Sequence, residues 1–142
     1  MIMTDTTVQD ARVASFEQDM RTNGWKLVSL GDTEHIHTED IEVLSFVGEW
    51  EEYVLGMDML ERSQGLGANL SQRSAEFLLA NSENIPNDWK PYRLLFSGTV
   101  WRSRTGHFHV PALQWKDDNW QLVFCWFAFD FHARDRFTKR RA

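Results

Sequence analysis

Two histidine pairs are the first residues in this chain whose spacing chemistry can use. His35 and His37 stand two apart, and so do His107 and His109. On an extended strand, residues i and i+2 project from the same side. Each pair would then offer two imidazoles to one ion, and Cys125 or His132 would complete a tetrahedral zinc site. The pattern stops there. The 35–37 pair falls in a polar loop, nothing in the sequence fixes it near 107–109, and no Cys-x-x-Cys or His-Glu-x-x-His motif occurs. A metal site is not favoured over histidines that simply hydrogen-bond, and no cofactor is expected.

Nucleophiles and paired acids give less. Cys125 lies between Phe124 and Trp126 in an apolar run, where a cysteine behaves as a small hydrophobe. No Gly-x-Ser-x-Gly or P-loop motif is present. Glu51-Glu52 reads as a solvated helix face and Asp117-Asp118 as a turn, and no predicted cleft separates an acid from a base. No catalytic residue is identified, and the sequence decides neither for nor against an enzyme.

The stretch that would position any site is the last third, 92–131, which holds four of the seven tryptophans. Runs 92–103, 107–115 and 119–129 are rich in β-branched and aromatic residues. Turn formers separate them, Ser103 to Gly106 and Lys116 to Asn119. Three antiparallel strands in a meander are expected. A loop over 116–119 sets Trp115 opposite Trp120, Leu113 opposite Leu122, Pro111 opposite Phe124 and His109 opposite Trp126. With Leu94, Phe96 and Val100 these form one core face, and Trp50, Trp115, Trp120 and Trp126 read as core. The other face carries Leu95, Trp101, Phe108, Val110, Gln114, Gln121, Val123 and Phe127. So large an apolar set needs a cover. Trp101, Phe108, Gln114, Gln121 and Phe127 are the candidates for an interface or a stacking platform for a flat ligand.

Upstream, Thr7 to Asn23 reads as a helix stopped at Asn23-Gly24, and 25–30 as a short strand. Residues 39–63 show an apolar stripe of Val43, Phe46, Val47, Trp50, Val54 and Met57 at helical spacing, with Thr38 as N-cap. A long helix is preferred there, and a strand over Ile41 to Val47 is the alternative. A helix over 71–81 follows, capped by Asn69 or Ser71. The fold class is α+β in one domain: an N-terminal helix and short strand, two central helices and the meander. Residues 1–6 and 134–142 are expected to be flexible.

The chain has 142 residues, 42% hydrophobic and 25% charged, enough for a real core. No run is long enough to span a membrane and the start does not read as a signal peptide. With one cysteine, a cytoplasmic setting is expected. The net charge of −6 conceals a split. Residues 134–142 carry Arg134, Arg136, Lys139, Arg140 and Arg141 against Asp135, while ten acids and no lysine or arginine lie between Asp32 and Glu61. An acidic body opposes nucleic-acid binding, which leaves only the tail for it. The tail could also dock on the acidic segment. The leading expectation is a non-catalytic interaction module with a protein partner, or with itself as a homodimer. The alternative is a small-ligand binder or enzyme built on the second sheet face or the histidines.

Overall fold

Strand β5, Phe108–Lys116, holds the sheet together because it pairs along both edges. The computed structural model describes residues 17–142. Residues 7–16 of the helix predicted over Thr7 to Asn23, and the expected flexible 1–6, lie outside them, while 17–22 are helical (α1) and end at Gly24 with φ +87°. The remaining elements in order are β1 (Lys26–Ser29), β2 (Ile41–Ser45), α2 (Gly56–Leu66), α3 (Gln72–Ala80), β3 (Arg93–Leu95), β4 (Val100–Arg102), β5, β6 (Asn119–Trp126) and β7 (Asp135–Arg140). The class is α+β.

One edge of β5 takes all of β6, with Trp115 opposite Trp120, Leu113 opposite Leu122, Pro111 opposite Phe124 and His109 opposite Trp126. The pairing extends one step further than the loop expectation, to Lys116 and Asn119, because Asp117 and Asp118 both adopt positive φ and close a two-residue turn. The other edge forks. β3 meets the middle of β5, and β4 meets its start. Beyond β4 lies β1, and beyond β3 lie β7 and then β2.

The expected uninterrupted strand over 92–103 is thus two strands with a turn between them. Leu94 faces Leu113, as parity required, but Trp101 rather than Val100 faces His109. The chain cannot run straight at Gly98. A Cβ there would overlap the Asn69 carbonyl oxygen, and the Gly98 amide donates to Leu70 O at 3.0 Å. A crossing segment occupies the space a continuous pleat would need.

The tail, expected to be flexible, is largely a strand. It forms β7, parallel to β3 on one side and antiparallel to β2 on the other, so the sheet is mixed and not a simple meander. That pairing also decides 39–63. Val43 faces Thr138 and Leu44 faces Phe137, so 41–45 is the strand alternative and the helix starts only at Gly56. Trp50, read as core, is 95% exposed. Thr38 caps no α-helix; it opens a short 3-10 turn and donates to Asn84 O at 3.3 Å. Ser71 does cap α3, accepting from the Ser74 amide.

Alternation along β3 and β5 gives two apolar cores, one per face. Leu94, Phe96, Leu113 and Trp120 pack with Ala75 and Leu78 of α3. Leu95, Val110, Ala112 and Phe137 pack with Phe46, Val54, Phe131 and Met59 of α2. The second sheet face is therefore covered by this chain's own segments. Tail and acidic segment also meet: Arg140 Nη2 sits 3.0 Å from Asp32 Oδ2, and the Arg141 amide donates to Asp40 O. The Asp32 carboxyl lies below its usual range, first because the Glu34 amide bonds it and then because Arg140 adds to that. Among the described residues, no helix is long and apolar enough to cross a membrane.

Candidate functional site

Three segments far apart in sequence enclose an open groove of about 570 Å³. β1 forms one wall. Its Ser29 hydroxyl donates to Gly98 O at 2.7 Å, and Thr99 Oγ1 donates to Leu30 O at 2.6 Å, which ties β1 to the turn between β3 and β4. α2 forms the opposite wall. It starts at Gly56, where a Cβ would be 2.5 Å from the Phe127 Cβ, so glycine lets the helix end close on the sheet. It stops at Gly67, at φ +68°. Ser63 Oγ donates to Ala68 O at 2.7 Å and Ser97 Oγ to the same carbonyl at 3.1 Å, and the two hydroxyls also meet.

The lining is apolar: Val28, Met57, Leu60, Val100, Phe108 and Phe127, over a floor with Ser63, Ser97 and Asn69. Among the described residues, no ionisable side chain lines it. Met57 is 63% and Val28 56% exposed at the mouth. Methyl and thioether surface left in water at a concave site is a physical signal of something that covers it. The serine hydroxyls are engaged with each other and with backbone, and among the described residues no histidine or carboxylate lines the groove to activate them.

The five sequence candidates separate. Phe108 and Phe127 reach the groove, their ring centroids 6.0 Å apart. Gln114 and Gln121 face each other near the β5–β6 turn, where Gln121 donates to Lys116 O and Asn119 Oδ1. Trp101 is fully buried away from both, its indole N–H 2.6 Å from Gln72 Oε1. The shift of β4 by one residue turned it from the expected face to the α3 side.

The histidines do not converge. His35 stacks on Phe77 at 4.5 Å and His37 meets that ring edge-on at 6.2 Å. His107 packs on Trp126 and His109 on Trp25, with His109 Nδ1 3.1 Å from His107 O. Burial lowers the His109 pKa. Among the described residues no cluster of three His, Cys, Asp or Glu is placed to hold a metal ion. Burial pushes the Cys125 thiol up to about 11, which suits a packing role.

Sequence reasoning missed a buried polar chain on α3. Trp101 donates to Gln72, and Gln72 Nε2 donates to Glu76 Oε1 at 2.8 Å. Glu76 Oε2 has no partner among the described residues. The available signal was an i, i+4 pair of polar residues on the helix face that packs on the sheet. Burial pushes Glu76 up to about 7, against an ordinary 4.5, with nearby Glu17 adding to the effect. The folded protein therefore holds this proton to higher pH than the unfolded chain does. The stability it contributes is full below about 4.5 and is lost as pH rises through about 7. Urea midpoints should fall between about pH 5 and about pH 8, and Glu76→Gln should flatten that difference. An unchanged pH dependence in Glu76→Gln would rule this out.

Comparison with known proteins gives no match: no family model, no curated protein and no solved structure is significantly similar to the chain.

Proposed function

We propose that this protein is a non-catalytic binding module whose groove between β1 and α2 accepts an uncharged, mainly apolar small molecule. The observation that carries this reading is the lining itself, about 570 Å³ of apolar wall with hydroxyl and amide groups and, among the described residues, no charge. That volume falls among small-ligand sites, and a few placed polar groups are how such sites orient a neutral ligand. A second reading, an apolar side chain of a protein partner, draws on the exposure of Met57, Val28 and Phe108 at the rim. Self-association through the second sheet face loses its motive, because Leu95, Trp101 and Val110 are fully buried within the chain. The setting we infer is cytoplasmic.

The neutral fluorophore N-phenyl-1-naphthylamine tests the groove. It should bind one to one with a dissociation constant on the order of 10 μM. Leu60→Trp, which fills the groove from a half-buried position, should weaken it by about tenfold or more. Trp50→Ala lies outside the lining and should leave affinity unchanged. Probe binding that ignores Leu60→Trp would place the ligand elsewhere and overturn the proposal.

A further inference from the structure

We infer a second site, independent of the groove: an anion site for the phosphate group of a small phosphorylated ligand, where the end of β5 meets the residues leading into β3 and β7. A pocket of about 190 Å³ lies there, and Lys90, Arg93, Lys116 and Arg134 line it with Tyr92 and Trp115. Among the described residues, no carboxylate lines it. In a chain of net charge −6 this is an unexpected concentration of positive charge.

Two of the lining cations, Lys90 and Arg93, are held in place by contacts. Lys90 Nζ sits 3.9 Å from the centroid of the Trp115 ring. Arg136 lies over Tyr92 at 4.4 Å, and its Nε donates to Ala133 O. Arg93 is answered by Asp135, through bonds of 2.6 and 3.1 Å. Lys90, Lys116, Arg134 and Arg136 form no salt bridge among the described residues. Three of the lining cations, Lys90, Lys116 and Arg134, are unanswered and repel one another, and an anion that enters relieves that repulsion and gains charge-assisted hydrogen bonds. Lysine supplies point charge and arginine a planar fork, a combination suited to phosphate oxygens.

The surroundings set the ligand's size. Asp88 and the Asp117-Asp118 turn adjoin the site in sequence, and the rest of the chain is acidic. A long polyanion would meet those acids, whereas a compact dianion meets only the pocket. The aromatic rings carry cations on their faces, so their role is to position charge and not to stack a base.

Calorimetric titration of the full chain with pyrophosphate, at ionic strength fixed with sodium chloride, tests this. One-to-one binding is expected, and Arg134→Gln and Lys116→Gln, both at exposed positions, should each weaken it by about fivefold or more. Lys26→Gln, on β1, should not change it. Three results would overturn the inference: no binding of pyrophosphate at millimolar concentration, equal weakening by Lys26→Gln, or a short oligothymidylate binding more tightly than pyrophosphate with a steep salt dependence.

Discussion

A chain ended at Ala133 should fail to fold. The cut removes β7, which lies between β3 and β2 and pairs with both. Five residue pairs to β2 and three to β3 go with it. Phe137 is fully buried and stacks on Phe46 at 4.0 Å, and loss of a buried phenylalanine alone costs about 3–5 kcal/mol. Thr138 Oγ1 donates to Leu95 O, and buried Asp135 accepts from Arg93 and from the His132 amide. Without Asp135 the Arg93 charge is stranded, at a cost of the same order. Against a total stability of about 5–15 kcal/mol, these losses leave no folded state. Circular dichroism and amide dispersion by NMR would show it. A truncated chain with dispersed amides and a cooperative melt contradicts the strand assignment.

Trp101→Glu should be nearly as damaging. A mutation at an exposed aromatic would be tolerated, but Trp101 is fully buried and its N–H satisfies Gln72. Truncating a buried tryptophan costs about 3–5 kcal/mol. Glutamate adds a buried charge close to Gln72 and Glu76, whose own carboxyl already resists ionisation. Trp101→Phe keeps most of the area and loses the hydrogen bond, so it should cost about 1–3 kcal/mol. Urea unfolding of the three proteins gives the order directly. A Trp101→Glu protein with an unaltered midpoint would show that the indole is not in the core.

These two cases show what local pattern could and could not carry. The β5–β6 pairing was readable because two aspartates and flanking alternation fix parity within twenty residues. β7 was hidden because Arg136, Lys139 and Arg140 read as a solvated tail when their partner strands lie far upstream. The helical stripe at 43–57 was a coincidence of period: backbone pairing with β7 overrode it and left Trp50 in water. The break at Gly98 depends on the Asn69 carbonyl, a contact no local window contains. Phe108 and Phe127 were identified as candidates because aromatics at a sheet face invite a cover. Ser63, Ser97 and Met57 carried no such signal, since only the fold brings α2 to β1.

The methionine methyls of α2 test most directly whether the groove binds a neutral apolar molecule. Met57 lines the groove, whereas Met59, two residues on, is fully buried in the core and does not. In carbon-13 methyl spectra of the full chain, N-phenyl-1-naphthylamine should shift the Met57 resonance in a saturable way and leave Met59 in place. A Met57 signal that stays fixed while the probe saturates the protein would contradict the account.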